Sequence, residues 1–237
     1  MARTIVIGDT HGCADELRDL LSMLGFSAGD QLFFVGDMLS RGPDWRGVLK
    51  IFRDTGARSV LGNHEQRLIA AHTARLRNEP LPKLSPSHVE ILREMDDADH
   101  AQLAALPLWL DLPEHGLRLV HAGLMPGVPM AEQDPWLLTH IRSIEDDGSA
   151  SERWGKPWGR RYKGPPHVVF GHNARKSPQL HADVTGIDTG CVYGGALTAL
   201  VLPAGAAIPP MESRAEVLVS VPARRAYVDY GRPLGGD

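Results

Sequence analysis

The stretch RTIVIGDTHG, residues 3–12, joins an apolar run to a glycine and then to two polar side chains, Asp9 and His11. The same order recurs in QLFFVGD, residues 31–37, and in RSVLGNHE, residues 58–65. Each apolar run predicts a buried β-strand, and apolar residues at helical spacing between the runs predict connecting helices. This β-α-β-α-β order implies parallel strands joined by right-handed crossovers, and therefore an α/β fold.

The remainder of the chain adds further helices and shorter strands. Helices are predicted around residues 87–95, 100–106 and 132–144. Strands are predicted for LWLDL (108–112), LRLVHAG (117–123), HVVFGH (167–172), GIDTG (186–190), ALTALVL (196–202) and VLVSVP (217–222). The sequence has no internal repeat and no separating linker, so we expect one domain over residues 1–230 and a flexible tail over 231–237.

Composition limits the kinds of protein that this chain can be. The 237 residues are 43% hydrophobic and 23% charged, which is typical of a globular domain, and the net charge of −4 disfavours a nonspecific nucleic-acid binder. The N-terminal MARTIVIGD does not have the form of a signal peptide, and no apolar run approaches the roughly 20 residues that span a bilayer. The two cysteines form no disulfide framework. We therefore expect a soluble cytoplasmic protein with no membrane association.

A potential ligand follows each early strand at the same place. Asp37 lies 28 residues after Asp9, and Asn63 lies 26 residues after Asp37, and each spacing suits one βαβ unit. Because the carboxyl ends of parallel strands meet at one edge of a sheet, we expect these side chains to meet there. Asp9 and His11 are two residues apart in a segment expected to be extended, so both should point the same way. The third strand and two later strands add three more candidates: His64, His121 and His172.

These candidate ligands have the chemistry of a metal site. Carboxylate, imidazole and amide ligands suit Mn²⁺, Fe or Zn²⁺ better than a metal that prefers thiolates. Two metals roughly 3.5–4 Å apart that share one carboxylate would use six ligands, hold a bridging hydroxide and clamp a phosphoryl oxygen. One glycine–histidine pair after a strand is weak evidence, since most such histidines are turn or core residues. The ordered combination is much harder to obtain by accident and predicts a dinuclear site.

Five motifs stand at the predicted strand ends, in the order GDTHG, GDMLSRGP, GNHE, HAGL and GH. In combination they resemble the motifs of metallophosphoesterases of the phosphoprotein-phosphatase type, and the resemblance extends over residues 4–202. It implies a calcineurin-like α/β fold, in which a central β-sandwich is flanked by helices and a dinuclear metal site lies at the strand ends.

The resemblance also implies a role for each motif residue. Asp9 and His11 resemble ligands of the first metal, and Asp37 resembles the ligand that bridges both metals. Ligands of the second metal are matched by Asn63, His121 and His172. His64 resembles the general acid that protonates the leaving group. Arg41 resembles a phosphate clamp, which its bidentate fork suits.

Within this family, GDTHGC at 8–13 and IDTGCVYGGALTAL at 187–200 look most like the bacterial symmetrical bis(5′-nucleosyl)-tetraphosphatases. Those enzymes split diadenosine tetraphosphate into two ADP. The resemblance implies a small nucleotide substrate and two divalent ions, with Mn²⁺ favoured and Co²⁺, Fe or Zn²⁺ as alternatives. The same chemistry could act on capped RNA 5′ ends. Two other interpretations stay open: a serine/threonine protein phosphatase acting on phosphoproteins, and a non-catalytic binding protein on the same scaffold.

Ser40 bears on the leaving group. Protein phosphatases of the family have GDxxDRG, whose second aspartate supports the catalytic histidine, where this chain has serine. A phosphoserine ester expels an alkoxide whose conjugate acid is nearly as weak as water, with a pKa of about 15.7, and needs a well-supported proton donor. A phosphoanhydride expels a phosphate with a pKa of about 6 and needs little protonation. Ser40 therefore favours anhydride cleavage, unless it only hydrogen-bonds within its turn or another carboxylate reaches His64.

Two residues outside the ligand motifs are candidates for substrate binding. Arg142 could clamp a second phosphate, and Tyr193 could line the mouth of the pocket. The segment 136–163 combines aromatic and basic side chains, which suits either adenine stacking with polyphosphate binding or the packing of a long loop. Asp188 is expected to brace its loop rather than bind metal. Histidines outside the motifs, among them His88, are expected to be surface or structural.

Overall fold

Three parallel strands from the first third of the chain lie side by side, as the strand–helix alternation predicts. The computed structural model describes residues 2–229, 231 and 234. Its strands are β1 (Arg3–Ile7), β2 (Gln31–Phe34), β3 (Arg58–Ser59), β4 (Trp109–Leu112), β5 (Leu117–Val120), β6 (Ser143–Ile144), β7 (Ala150–Ser151), β8 (His167–Phe170), β9 (Gln179–His181), β10 (Val184–Gly186), β11 (Ala196–Pro203) and β12 (Leu218–Pro222). Its α-helices are α1 (Ala14–Met23), α2 (Trp45–Asp54), α3 (Asn63–Leu76), α4 (Pro86–Glu94), α5 (Asp97–Ala104) and α6 (Pro135–His140).

The strands form two five-stranded mixed sheets and a two-stranded ribbon of β6 and β7. The first sheet has the order β12-β11-β1-β2-β3, in which β1, β2 and β3 are parallel and β11 and β12 are antiparallel additions. The second sheet has the order β4-β5-β8-β10-β9, with β5, β8 and β10 parallel. The parallel strands of both sheets supply the ligand motifs, so both sheets contribute to one site.

Apolar side chains from facing sides of the two sheets form one buried cluster, which makes the pair of sheets a sandwich. The cluster includes Val6 of β1, Phe33 of β2, Leu119 of β5 and Val169 of β8. The neighbouring Ile7 belongs instead to the cluster that packs against the helices on the other face of the first sheet. Strand β1 is therefore buried on both faces, which explains why its sequence is a continuous apolar run rather than an alternating one.

Two predicted elements differ most in extent from the structure. The helix expected near residues 132–144 is the shorter α6, because Asp134 accepts the N–H of Trp136 at 2.8 Å and caps a helix that begins at Pro135. The strand expected over 186–190 ends at Gly186, and the chain then turns through the site. The predicted tail, 231–237, lies outside the described residues except for Gly231 and Leu234. None of the described helices is long and apolar enough to cross a membrane.

An ion pair fastens the start of β1 to the turn before β2. Arg3 donates its backbone N–H and Nε to Asp30 Oδ1 at 3.0 Å each, and Nη2 to Oδ2 at 2.7 Å. The Asp30 side chain is 1% exposed and also accepts the N–H of Ser27 at 3.0 Å. These hydrogen bonds, those from Arg3 first, hold the pKa of Asp30 well below its usual range.

Asp30→Asn should lower the free energy of unfolding at pH 7 by about 2–3 kcal/mol, because the hydrogen bonds of a buried charge are lost. A depressed pKa stabilises the fold above the unfolded-state value of about 3.9 and less as the pH falls, so the difference from wild type should shrink between about pH 5 and pH 3. Urea unfolding at several pH values measures this. Asp54→Asn, which breaks only the exposed pair with Lys50, is the control. A pH-independent difference would contradict the assignment.

Candidate functional site

The site strands end in glycine because the backbone there is too close to other groups for a side chain. Gly36 after β2 has φ +92°, and a Cβ atom on it would lie 2.8 Å from His121 Nδ1. A Cβ atom on Gly171, after β8, would collide with Asp9 Oδ1. The strand–glycine–ligand pattern of the sequence is therefore a packing requirement, since the glycines let the two sheets bring their ligands together.

Left-handed backbone is concentrated at this site. Among the described residues other than glycine, five have φ between +47° and +82°: Asn78 and four site residues, namely His11, Asp37, Arg41 and His172. Such conformations cost of order 1–3 kcal/mol each, so the surroundings must hold them. His11 lies in a turn, not in the extended segment expected from the sequence, although its Nε2 is still 4.0 Å from Asp9 Oδ2.

The carboxylate of Glu65 holds the turn that contains Asp37. Glu65, the last residue of GNHE, is fully buried and accepts the backbone N–H groups of Asp37 at 2.8 Å, Met38 at 2.9 Å and Leu39 at 3.2 Å. Burial and the charge of Asp37 raise the pKa of Glu65 to about 7. Sequence reasoning missed this role, because the contact exists only after α3 folds against the end of β2; the one signal was the position of Glu65 in the motif.

Asp37 lies at the centre of the candidate ligands. Its Oδ1 accepts the backbone N–H of His64 at 3.0 Å, which leaves Oδ2 facing three imidazoles. Asp37 Oδ2 is 3.3 Å from His121 Nε2, 3.7 Å from His11 Nε2 and 4.0 Å from His64 Nε2. Burial opposes ionisation of Asp37, but His121 and His64 outweigh it and hold its pKa well below the usual range. An ionised carboxylate therefore stands where three ring nitrogens converge.

A second group of donor atoms lies beside Asp37. Asn63 Oδ1 is 3.0 Å from His121 Nε2 and 3.0 Å from His172 Nδ1. His121 Nδ1 is 2.8 Å from the carbonyl oxygen of Val35, and since a carbonyl only accepts, Nδ1 carries the hydrogen and Nε2 presents a lone pair. Burial alone would lower the pKa of His121, but the charge of Asp37 raises this pKa above its usual value. The position of the His121 ring beside Asp37 therefore favours positive charge. Converging lone pairs in such a place suit a cation.

Asp9 supplies the opposite side of the site. Its Oδ2 accepts the backbone N–H of His172 at 2.9 Å, and its buried Oδ1 has no hydrogen-bond partner in the part of the chain that the structure describes. Burial, together with the charges of Asp188 and Asp37, holds the pKa of Asp9 well above its usual range. A divalent cation would relieve both the repulsion and the unpaired oxygen. The residues present therefore fit two metal ions that share Asp37.

A cavity of about 50 Å³ opens onto these groups. It is lined by Asp37, Arg41, Asn63, His64, Arg142, His172, Ala174, Asp188 and Tyr193. The predicted general acid, both predicted phosphate clamps and Tyr193 thus face one space. Asp188 also accepts the N–H of Gly190 at 3.0 Å, which is the loop-bracing contact expected of it. A larger cavity of about 830 Å³, bordered by Lys156 and Arg160, contains none of the candidate ligands, so the chemistry belongs to the smaller one.

The two arginines are held by other residues of the site. Arg41 Nη1 is 2.8 Å from His11 Nε2, and its guanidinium lies 5.5 Å from the centre of the Tyr193 ring. Arg142 donates to the carbonyl of His172 at 3.0 Å and to Asn173 Oδ1 at 2.6 Å. Arg41 thus donates to the His11 nitrogen that faces Asp37 Oδ2, which is the nitrogen that a metal would use.

The aromatic residues of segment 136–163 divide between packing and the site. Trp158 is fully buried under the second sheet, and its Nε1 donates to the carbonyl of Ala122 at 3.0 Å. Trp154 lies near two guanidinium groups, 5.2 Å from that of Arg142 and 4.5 Å from that of Arg175. Trp158 therefore packs the loop, whereas Trp154 helps to position Arg142 through a cation–π contact.

His64 follows Asn63 in the first turn of α3 and is 8% exposed, toward the cavity. Its Nδ1 is 3.0 Å from His88 Nε2 on α4. His88, expected to be surface or structural, is buried and touches the candidate general acid. The buried Ser40 Oγ has no hydrogen-bond partner among the described residues, so Ser40 does not bond within its turn. The group at His64 Nδ1 is the imidazole of His88, and the carboxylate of Asp37 lies 4.0 Å from Nε2. Burial holds the pKa of His64 well below its usual range and lowers that of His88 to about 4.

Comparison with known proteins agrees with this geometry. The family model for calcineurin-like phosphoesterases matches residues 2–198. The chain therefore belongs to the calcineurin-like phosphoesterase family, and it is a metal-dependent hydrolase of that class. The fold class and the family expected from the five motifs are confirmed.

The chain is similar to proteins named for two cleavage patterns. It is 29% identical over 255 residues to a symmetrical bis(5′-nucleosyl)-tetraphosphatase of Vibrio campbellii, covering 82% of this chain and 93% of that one. It is 30% identical over 223 residues to the asymmetrical bis(5′-nucleosyl)-tetraphosphatase PrpE of a Geobacillus species, covering 84% and 89%. A solved structure described as a “putative diadenosine tetraphosphatase” is 35% identical, covers 93% of both chains and superposes with a TM-score of 0.79.

Glu65→Gln should weaken metal binding and stability together. The substitution places an NH₂ group where a Glu65 oxygen accepts the N–H of Asp37, so that two donors face each other. This costs about 1–3 kcal/mol of unfolding free energy. Loss of an outer-sphere support typically lowers metal affinity roughly 10–100-fold. Calorimetric Mn²⁺ titration and urea unfolding measure both effects, with the exposed Glu90→Gln on α4 as the control. Unchanged Mn²⁺ affinity in Glu65→Gln would show that the turn containing Asp37 keeps its shape without the Glu65 carboxylate.

Proposed function

We propose that this protein hydrolyses dinucleoside polyphosphates such as diadenosine tetraphosphate, and that it cleaves them symmetrically to two ADP. The observation that carries the proposal is the arrangement around Asp37, whose Oδ2 lies 3.3–4.0 Å from three histidine nitrogens beside a cavity lined by two arginines. The names of the relatives support the substrate class, and the leaving-group argument supports an anhydride over a phosphoester.

The proposal includes two divalent metal ions, with Mn²⁺ favoured by the oxygen and nitrogen donors and Co²⁺, Fe or Zn²⁺ as alternatives. The first ion would be held by Asp9, His11 and Asp37. The second would share Asp37 and add Asn63, His121 and His172. When bound, such ions activate water and neutralise charge on a phosphoryl group.

The protein's own groups would do the remaining work. Arg41, and Arg142 held by Asn173, would each take phosphate oxygens through charge-assisted hydrogen bonds. Tyr193 would keep Arg41 at the mouth of the cavity. His64 Nε2 would donate a hydrogen to the oxygen that leaves with ADP.

The support behind His64 favours the anhydride. A neutral imidazole stabilises a positively charged His64 less than a carboxylate does, so His64 is a weaker acid catalyst than its counterpart with an aspartate partner. A leaving phosphate with a pKa of about 6 needs only such a donor, whereas an alkoxide needs a stronger one.

The experiment is turnover in Mn²⁺ of diadenosine tetraphosphate, a phosphopeptide and a capped RNA, with nucleotide products separated by chromatography. ADP as the sole product supports the proposal. AMP with ATP would assign the asymmetrical cleavage named for the Geobacillus relative. Faster phosphopeptide or capped-RNA turnover would change the substrate class, and no turnover of any would favour a binding protein.

Asp37→Asn should abolish that turnover and reduce metal content. The loss of Mn²⁺ affinity should exceed the roughly 10–100-fold that removal of an outer partner costs, because a shared ligand is removed. Metal analysis after dialysis and the same product assay measure both, with the exposed Asp54→Asn as the control. Retained metal and rate would contradict a shared carboxylate.

We also propose a reducing cytoplasmic setting. Cys13 and Cys191 are free, and their sulfur atoms lie within 4.8 Å of each other beside the site loops. Thiol counting after cell fractionation should find both reduced in the cytoplasmic fraction. A Cys13–Cys191 disulfide in freshly isolated protein would contradict this setting.

A further inference from the structure

The residue behind the candidate general acid is a histidine from a different helix. His64 Nδ1 is 3.0 Å from His88 Nε2, the ring centres are 4.9 Å apart and the ring planes differ by 13°. A nitrogen–nitrogen distance this short between near-parallel rings indicates an edge-to-edge hydrogen bond rather than face-to-face stacking. In the described part of the chain, Asp37 is the sole carboxylate within 4.0 Å of a His64 ring nitrogen, and it faces Nε2.

His88 is held in place by the cap of its own helix. Ser85 is the N-cap of α4 and His88 its third residue, in a capping box where each side chain meets the other's backbone N–H. Ser85 Oγ is 2.7 Å from His88 Nδ1, and the Ser85 backbone nitrogen is 3.4 Å from the same atom. His88 is 3% exposed, so its ring has little freedom to turn.

The contacts of His88 suit a proton donor at His64. The nearer partner of His88 Nδ1 is Ser85 Oγ, which can accept the Nδ1 hydrogen and leaves His88 Nε2 with a lone pair. That lone pair can accept the Nδ1 hydrogen of a doubly protonated His64. The second hydrogen of His64 is then on Nε2, the nitrogen that faces Asp37 and the cavity, and its transfer to the leaving oxygen returns His64 to a neutral ring.

We propose that His88 is a positioning residue for the hydrolysis: by accepting a hydrogen bond from Nδ1 of protonated His64, it holds the ring so that Nε2–H faces the leaving oxygen. This inference rests on the role of His64 in the proposed function. It also gives α4 a task beyond packing. A capping box usually has Glu or Gln at this third position, and here the same position supplies an imidazole to the site.

The test is a double-mutant cycle in the Mn²⁺-loaded protein, with His64→Ala, His88→Ala and the pair together. Each is assayed on diadenosine tetraphosphate, 4-nitrophenyl phosphate and phenyl phosphate. His88→Ala should lower kcat on phenyl phosphate about tenfold to 100-fold, a part of the roughly 10²–10⁴-fold that general acid catalysis contributes. The loss should be smaller for the two better leaving groups, and KM and metal content should stay unchanged.

The cycle separates a positioning role from a structural one. If His88 acts through His64, the double variant should be no slower than His64→Ala alone. His88→Gln should recover most of kcat, because its amide oxygen can accept from His64 Nδ1 while its NH₂ group donates to Ser85 Oγ, and it keeps a contact with Ser85 if His88→Ala folds poorly. Glu90→Ala, an exposed change on the same helix, is the control for α4.

Each outcome decides one claim. The inference would be overturned if His88→Ala lowered kcat equally with and without His64, or equally for all three leaving groups. It would also be overturned if His88→Ala left kcat unchanged, or if His88→Gln did not recover kcat. Wild-type turnover of the aryl esters without diadenosine tetraphosphate would overturn the proposed substrate while leaving the cycle readable. A fully active His64→Ala would overturn the role of His64 and the inference with it.

Discussion

The structure of the site depends on the turn in which Asp37 adopts a left-handed backbone under the carboxylate of Glu65. Three consecutive N–H groups end on that one buried carboxylate, and the turn then directs Asp37 Oδ2 at three imidazoles. Without this restraint the strain at Asp37 would relax and the ligands from the two sheets would lose their common centre. The Glu65 carboxylate thus holds the backbone of the turn in place, as a bound metal would hold the ligand side chains.

The sandwich explains why ligands far apart in sequence meet. The first sheet supplies Asp9, Asp37 and Asn63 after β1, β2 and β3, and the second supplies His121 and His172 after β5 and β8. Gly36 after β2 and Gly171 after β8 lack the side chains that would collide with His121 and Asp9 of the opposite sheet. The buried cluster between the sheets then fixes the distance between the two halves of the site. The packing of the two sheets against each other thus determines where the candidate ligands meet.

Particular residues show what could be predicted from the sequence. The α/β class and the seven candidate residues at the strand ends follow from strand-ending motifs, because the geometry of parallel strands needs no tertiary information. The family resemblance then distinguishes six of them as ligands. The role of His88 could not be read this way, since it lies 24 positions after His64 and meets it only when α4 packs against α3. The helix predicted near 132–144 is longer than the observed α6, because apolar spacing does not reveal that Asp134 and Pro135 begin the helix.

The central claim is that one carboxylate, that of Asp37, joins two metal ions. Anomalous X-ray diffraction from crystals grown with Mn²⁺ measures this most directly. We expect two anomalous peaks flanking Asp37 Oδ2, one beside Asp9 and His11 and the other beside Asn63, His121 and His172, roughly 3.5–4 Å apart. A single peak, or two peaks of which one does not contact Asp37, would contradict it.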